Sequence, residues 1–269
     1  PTPMKEDYRT GREYCSNGMC NPLYFTIGAL INYLRRIREE RGLSHTAIVE
    51  QYVYATTGSG GPCRLGMYEA EYRQALRNAG FHDFRVLILE QKGFDETSGD
   101  GLEKTPTLFL SGFFAMFTAD LLNNLANQIR PYERVSGSAG RAMDEVTGRL
   151  WEWFRHRDIT GDRGPWGGVL QFIFPKLRRT DADGVMAWLL DRGLADELRA
   201  CAAYIDREVE VDYTRCKPVC KVTGEFWAQM TEGDGNYRMF EFLEAQGAEI
   251  ITEPIATWFL YLLTQARVR

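Results

Sequence analysis

A glycine-rich segment that ends in a cysteine is the strongest chemical feature of this sequence. It reads TTGSGGPCR over residues 56–64, between a run of strand-forming residues and a helical pattern. In an open parallel sheet, ligands bind at the edge where strands end and helices begin. There, Gly60 and Gly61 would let the backbone approach a ligand closely. A helix N-terminus would favour the thiolate form of Cys63, and Arg64 adds positive charge. A plain tight turn with a buried cysteine is the alternative.

A second cysteine segment also precedes a helical pattern. It reads CSNGMCNP from Cys15 to Pro22, so we expect Cys20, like Cys63, at the N-terminal end of a helix. Iron–sulfur clusters are bound by thiolates and carry net negative charge, which N–H groups at helix N-termini stabilise. Two cysteines at two helix N-termini could converge on one cluster. The spacings match neither the CxxC pairs of zinc sites nor a ferredoxin run.

The remaining cysteines give weaker indications. Cys216 and Cys220 flank the start of a predicted strand, and we expect the first at the surface and the second in the core. Cys201 lies among apolar residues of a helical pattern and is predicted to be buried. Glu225 follows a strand pattern, where it would either place a carboxylate in a cleft or serve at the surface or in a helix cap.

The elements that must position these residues alternate between helix and strand near the start of the chain. The patterns predict a helix at 27–41, a strand at 48–55, a helix at 65–78 and a strand at 84–89. The first 22 residues are polar and contain glycine, and we expect them to be irregular. The strand–helix–strand order predicts a layered α/β domain with a largely parallel sheet.

The middle of the chain differs from both ends. Residues 107–207 are mostly helical in pattern, with a glycine-rich loop expected at 161–168. Alternation then resumes with a strand at 218–223, a helix at 237–245, a strand at 248–252 and a helix at 254–263. The fold class predicted is α/β, with Rossmann-like parallel-sheet units and a largely helical insert. The domains expected are a first α/β unit at 1–105, the helical insert at 106–212 and the start of a second α/β unit at 213–269.

Composition limits the classes of function. The chain has 269 residues, 44% of them apolar and 26% charged, which is ordinary for a soluble globular protein. A net charge of −5 argues against non-specific binding to nucleic acid. We find no apolar run close to the roughly 20 residues of a membrane helix and no signal segment. A cytoplasmic protein without membrane contact is therefore expected.

Three segments together resemble a known family. Residues 12–34, 52–81 and 217–263, including the phrase GPCR-x-G-x-Y and the later NAGF, are similar to the CoA-activase-associated branch of the 2-hydroxyacyl-CoA dehydratase superfamily. That branch includes relatives of double-cubane cluster reductases. The matching segments cover somewhat under half of the chain, and the helical middle matches by position alone.

The resemblance implies a redox function. In such families an ATP-hydrolysing activator, which carries its own cluster, passes a low-potential electron to a Rossmann-like partner that binds a second cluster, and this chain resembles the partner. Cys20 and Cys63 fall on the family's cluster ligands, and Cys15 is a further candidate where relatives have another residue. The cluster implied is of the 4Fe-4S or double-cubane type, the substrate a small molecule or a CoA thioester, and the assembly a dimer.

Part of the implied site lies outside this sequence. The third ligand of the relatives comes after the last matching segment, so a neighbouring part of the polypeptide, Cys15, Cys216 or another subunit would have to supply it. Whether the chain is itself an enzyme stays open. One alternative is a cluster-free scaffold or regulatory domain of a larger activase-like protein. Another is an α/β domain that binds an anion with the loop at 58–61.

Overall fold

The computed structural model is 70% helical and has two small parallel sheets, so the protein is mixed α/β with a helical bias. Rossmann-like units stay a prediction. The residues described are 2–58, 63–89, 105–157, 165–173, 179–190 and 192–268.

The helices and strands follow one another in an irregular order. The α-helices in the described part of the chain are α1 (Lys5–Tyr14), α2 (Asn21–Arg41), α3 (His45–Gln51), α4 (Tyr68–Asn78), α5 (Pro106–Ile129), α6 (Ser138–His156), α7 (Pro165–Ile173), α8 (Arg179–Leu190), α9 (Gly193–Glu208), α10 (Phe226–Met230), α11 (Met239–Ala245) and α12 (Ile255–Val268). The strands are β1 (Val53–Thr57), β2 (Arg85–Leu89), β3 (Val219–Lys221) and β4 (Glu249–Ile251).

The chain forms two compact units, each discontinuous in sequence. The first contains residues 1–103 and 224–241, and the second contains residues 104–223 and 242–269. The division into 1–105, 106–212 and 213–269 stays a prediction. Both candidate cysteines of the sequence analysis, Cys20 and Cys63, belong to the first unit.

The first unit is built around α2 and a β–α–β arrangement. β1 pairs in parallel with β2, with Val53 opposite Arg85, and α4 lies between them in the chain. Apolar residues at helical spacing on α2 face the core, where Leu23 and Ile31 are fully buried. The core of this unit comprises Leu23, Ile27, Leu30, Ile31, Leu34, Ile37, Ile48, Tyr68, Tyr72, Ala75, Leu76, Phe81, Phe84 and Val86.

Two glycines allow α1 and α2 to cross with their backbones in contact. A Cβ atom at Gly28 of α2 would overlap the carbonyl oxygen of Asp7, and one at Gly11 of α1 would overlap that of Tyr24. Only glycine permits such an approach on both sides. The crossing holds the end of α1 close to the start of α2, and the loop between them carries Cys15 and Cys20.

The second unit has its own core and its own sheet. β3 pairs in parallel with β4, with Val219 opposite Glu249. Helices α5, α6 and α9 enclose a cluster of buried apolar residues, which are Ala126, Ile129, Ala139, Ala142, Met143, Val146, Leu150, Cys201, Ile205 and Val209. Trp188 of α8 stacks on Phe114 of α5 with ring centroids 4.7 Å apart. The Arg157 guanidinium lies 4.0 Å from the centroid of the Trp188 ring.

The strand predicted at 48–55 is wrong in its first half. α3 continues to Gln51, and β1 begins at Val53. The Ser44 hydroxyl caps α3 by accepting the N–H of Ala47 at 3.2 Å, and Ile48 is fully buried in the core of the first unit. Capping and tertiary packing thus outweigh the strand preference of the β-branched residues.

Two regions expected to be irregular contain helix. The first 22 residues include α1, which begins where the Asp7 carboxylate accepts the N–H of Met4 at 3.0 Å and which packs against α2. The glycine-rich stretch at 161–168 lies partly outside the described residues, but its last residues belong to α7. The cap of α1 and its packing against α2 are not visible in composition.

One helix in the described part of the chain is long and apolar enough to cross a membrane. It runs from Pro106 to Tyr132, its most apolar window has a mean hydropathy of 1.3, and 6% of that window is buried. The expectation that no apolar run reaches this length was therefore wrong. Its only charged residues are Asp120 and Arg130, and the many Leu and Phe residues between them and Pro106 outweigh the polar side chains in the mean hydropathy. A single helix of this kind is also compatible with a soluble protein.

Candidate functional site

Cys20 and Cys63 lie at the N-terminal ends of helices, as the sequence predicts. Cys20 is the N-cap residue of α2, and its carbonyl accepts the N–H of Leu23 at 3.1 Å. Cys63 is the N-cap residue of a short 3-10 helix, Arg64–Met67, which runs directly into α4. The Cys20 side chain is partly buried and that of Cys63 is exposed. Both residues therefore directly precede the first turn of a helix, and neither side chain accepts a hydrogen bond from that turn.

Tyr68 is close enough to both cysteines for their charges to affect its pKa. It is the first residue of α4, and its side chain is 7% exposed. Burial raises the pKa of Tyr68, and negative charge on Cys20, Cys63 and Glu225 raises it further. The structure thus brings both thiols within electrostatic reach of one phenol. We call Cys20, Cys63, Tyr68 and Glu225 the thiol site.

Arg64 connects the two loops that carry the thiols. Its Nη1 donates a hydrogen bond to the carbonyl oxygen of Gly18 at 2.9 Å, so the segment after Cys63 is tied to the segment before Cys20. This contact joins the loops directly. The predicted role of Arg64 in binding a cofactor stays a prediction, and Gly60 and Gly61, predicted for the same role, lie outside the described residues.

Further hydrogen bonds fix the loop between α1 and α2. The Tyr24 hydroxyl accepts the N–H of Met19 at 3.0 Å and donates to the carbonyl of Ser16 at 3.1 Å. The N–H of Ser16 donates to Oε2 of Glu71, on α4, at 3.1 Å. The loop is therefore attached to the start of α2 and to α4, the helix that carries Tyr68.

Glu225 reaches the thiol site because residues 224–241 pack on the start of the chain. The Asp234 carboxylate accepts the N–H of Lys5 at 3.0 Å, and the ring centroids of Trp227 and Phe25 are 5.9 Å apart. The bond from Lys5, together with Arg238, lowers the pKa of Asp234. Glu225 itself is the exposed N-cap residue of α10.

Cys15 has a different environment from the other two thiols of this unit. Burial raises its pKa to about 12, the charge of Glu71 adds to the effect, and Arg12 opposes it. Metals bind the thiolate, so a thiol that keeps its proton is a poor ligand at neutral pH. The assignment of Cys15 as a ligand stays a prediction.

The cysteines of the second unit are arranged separately. Cys201 is 2% exposed, and its thiol lies 3.7 Å from Oε1 of Glu197, in agreement with the predicted core position. Burial raises its pKa. Cys216 is exposed as expected, whereas Cys220 is only partly buried. The strand that carries Cys220, β3, pairs with only one strand, β4, in the described sheet. A two-stranded sheet covers its side chains less than a larger sheet does, so Cys220 is less buried than predicted.

The described residues do not contain a complete metal site. No group of three His, Cys, Asp or Glu side chains among them is placed to hold a metal ion. Four protein ligands are usual for an iron–sulfur cluster. The donor chemistry of Cys20 and Cys63 fits part of a cluster's ligand set, and further ligands would be needed to complete it.

Sequence reasoning missed Tyr68 and left Glu225 open. Tyr68 is the last residue of the phrase GPCR-x-G-x-Y, five residues after Cys63, so a single helical turn separates them. That spacing was a usable signal, because a residue one turn into a helix lies close to its cap. No protein-family model, curated protein or solved structure matches the chain, so these geometric relations are the observations that bear on function.

Proposed function

We propose that this chain is the iron–sulfur cluster-binding component of an ATP-dependent low-potential reductase or dehydratase system. Cys20 and Cys63 would be two of the cluster's ligands. A separate ATP-hydrolysing activator with its own cluster would deliver the electron, and the substrate would be a small molecule or a CoA thioester. The observation that carries the proposal is that the loops of two cysteines, 43 positions apart in the sequence, are joined by the hydrogen bond from Arg64 to the carbonyl oxygen of Gly18.

The thiol site has the features that bound thiolates need. Free N–H groups in the first turn of a helix can donate to sulfur and stabilise its negative charge. α2 offers such a turn next to Cys20 and is 21 residues long, so its dipole is well developed. Bound there, a cluster would supply one-electron chemistry, while this chain binds it, orients it and controls access of water.

The exposure of Cys63 suits a site that is shared. An exposed thiol leaves room for ligands from another segment or from a second subunit, and such ligands are needed to complete the set. It also leaves the cluster accessible to an electron donor. A cluster held at the surface of one protein can accept an electron from a second protein that docks there.

Anaerobic reconstitution with iron and sulfide tests the proposal. We expect the wild-type chain to bind both and to show broad visible absorbance, whereas a Cys20→Ser/Cys63→Ser variant stays colourless. The Cys220→Ser variant is a control that removes a thiol of the second unit and should show the same absorbance as wild type. Wild-type absorbance in the Cys20→Ser/Cys63→Ser variant would contradict the proposal.

A cluster-free scaffold or regulatory domain is the second candidate function. The observation in its favour is that the described residues contain no group of three potential metal ligands. This candidate predicts protein without iron even after isolation in the absence of oxygen. Measurement of iron and acid-labile sulfide in such a preparation separates the two candidates.

A further inference from the structure

Three helices of the second unit leave large apolar side chains exposed to solvent. Phe172 of α7 is 87% exposed, and Leu260 of α12 is 64% exposed. Single apolar residues are common on protein surfaces, but a patch of them marks a site that binds another protein or a membrane. We call the exposed apolar residues of α5, α7 and α12 that lie beyond the start of α5 the apolar surface; they are Phe117, Leu121, Val169, Phe172, Ile173, Leu260 and Tyr261.

The helices that carry the apolar surface are joined by packing within the second unit. On one side of α5, the ring of Phe117 meets that of Phe259, on α12, with centroids 6.3 Å apart. On another side of α5, Nε1 of Trp188, on α8, donates to Ser111 Oγ at 2.9 Å. α8 in turn packs on α7. Phe117 and Leu121 are one turn apart, so they lie on the same face of α5.

Negative charge is scarce on these three helices. α7 and α12 contain no Asp or Glu, and α5 contains only Asp120, whose carboxylate accepts the N–H of Ala256 at 2.9 Å. The acidic residues of the connecting helix α8, Asp181 and Asp183, lie in its first half. Basic residues follow α7 in the sequence and belong to the last turn of α12; they are Lys176, Arg178, Arg179 and Arg267. In a chain whose net charge is −5, this distribution favours a negatively charged partner.

An anionic bilayer fits this combination better than a second copy of the chain. Acyl chains bury apolar side chains without a matching shape, and the phosphates of anionic headgroups attract Lys and Arg. Tyr261 has an apolar ring with a polar end, which suits the boundary between headgroups and acyl chains. In a two-fold dimer the same surface of both copies would meet, so basic residues would approach basic residues.

The other contacts of α5 favour a position along the bilayer surface over a crossing of the bilayer. The helix is long and apolar enough to span a membrane. However, Ala126 and Ile129 of α5 belong to the core that α6 and α9 enclose, and Asp120 is bonded to the first turn of α12. A crossing would break these contacts, whereas attachment through one face keeps them.

We propose that the apolar surface is a docking site for an anionic lipid bilayer, with Phe172, Ile173 and Leu260 inserted among the acyl chains while the second unit stays folded. Each of these three side chains is more than half exposed, so the bilayer can bury them without a change of fold. The inference is independent of the cluster chemistry proposed above. It argues against the sequence-based expectation of a protein without membrane contact.

Flotation of the full chain with lipid vesicles tests the proposal. We expect the protein to float with vesicles made of phosphatidylcholine and phosphatidylglycerol, and to bind less to vesicles of phosphatidylcholine alone. Added salt should weaken binding to the mixed vesicles, because it screens the attraction between Lys or Arg and the headgroups. Absence of binding to the mixed vesicles, or equal binding to both kinds, would overturn the proposal.

Substitution of the two most exposed side chains locates the docking site. We expect Phe172→Gln/Leu260→Gln to lower the partition into mixed vesicles by about tenfold or more, because two large apolar side chains no longer enter the bilayer. Urea unfolding should match that of wild type, since both positions are exposed. The matched control, Trp151→Gln/Phe242→Gln, removes two exposed aromatic side chains of α6 and α11 and should bind like wild type. Binding of the Phe172→Gln/Leu260→Gln variant at the wild-type level would overturn the proposal.

Two further measurements distinguish this mode of binding from the alternatives. An alkaline carbonate wash should release the wild-type protein from the vesicles, and resistance to the wash would indicate a spanning helix, contrary to the proposal. In the absence of lipid, light scattering should give the same mass for wild type and for Phe172→Gln/Leu260→Gln. A wild-type dimer that this variant dissociates would assign the apolar surface to a second copy and overturn the proposal.

Discussion

Cys15 and Cys20 are five residues apart, yet their surroundings differ. Burial and Glu71 raise the pKa of Cys15 to about 12, so its thiol stays protonated well above neutral pH. Cys20 is the N-cap residue of α2, and its charge contributes to the raised pKa of Tyr68. Of the two, Cys15 has the environment of a packed side chain that keeps its proton.

The buried proton of Cys15 predicts a pH-dependent stability. An unfolded cysteine loses its proton near the reference pKa of 9.0, whereas the folded one keeps it up to about 12. Between these values the folded chain binds more protons than the unfolded one, so stability falls as pH rises. Below pH 9 the stabilisation that comes from the protonated Cys15 thiol is fully present. In Cys15→Ala the unfolding free energy should fall less steeply from pH 8.5 to 11, as measured by urea unfolding.

The control for this prediction is the same substitution at Cys216, which is exposed. Cys216→Ala removes no buried thiol, and its stability should keep the wild-type dependence on pH. A Cys15→Ala curve that runs parallel to wild type throughout the range would show that Cys15 is not protected from deprotonation.

At the scale of elements, the crossing of α1 and α2 depends on Gly28. An added Cβ would overlap the carbonyl oxygen of Asp7, and backbone atoms cannot move aside as a flexible side chain can. We expect Gly28→Ala to lower the free energy of unfolding by about 3 kcal/mol, the upper range for overpacking. Urea unfolding followed by circular dichroism measures the loss.

Gly148→Ala provides the matched control, because Gly148 also lies inside a helix, α6, but its added Cβ would meet open space. This substitution should be neutral or stabilise the chain by up to about 1 kcal/mol through helix propensity. If Gly28→Ala were as stable as Gly148→Ala, the close approach of the two helices would be wrong.

The helical periodicity of the sequence was a reliable guide to α2 because its spacing reflects which face is buried. The positions of Cys20 and Cys63 were likewise predictable, since glycine and proline residues mark the N-terminal ends of the helices that follow them. The strand predicted around Ile48 is a helix in the structure, because the conformation there is decided by packing of Ile48 against residues distant in the sequence. Nor could any local pattern reveal that Arg64 binds the carbonyl of Gly18, since this contact joins separate segments.

At the scale of the whole molecule, α5 exposes much apolar surface. Its 24 residues span roughly 36 Å at 1.5 Å per residue. Asp120, the one charged residue of this helix, accepts the N–H of Ala256 at 2.9 Å, so its charge is bonded to the first turn of α12. Leu121 is 52% exposed, whereas Ile129 is 5% exposed. Exposed apolar surface of this kind often marks an interaction surface.

This difference in exposure predicts that substitutions of Leu121 and Ile129 lower the free energy of unfolding by different amounts. Leu121→Gln should change the free energy of unfolding by less than about 0.5 kcal/mol, as is usual for surface positions. It should also reduce the fluorescence of an apolar dye bound to the native protein. Ile129→Ala, in the core of the second unit, should cost about 3 kcal/mol. Equal losses for the two variants would contradict the exposure of this face of α5.

The discontinuity of the first unit has a consequence for synthesis on the ribosome. The chain leaves this unit at Glu103 and returns at Gly224, so about 120 residues are translated before Glu225 and its neighbours emerge. At about 5–20 residues per second this takes on the order of ten seconds. During that interval Cys20 and Cys63 are already outside the ribosomal tunnel while the segment that covers the N-terminus is missing. A nascent chain therefore presents both sulfurs before its native fold is complete, and chaperones would meet them first in that state.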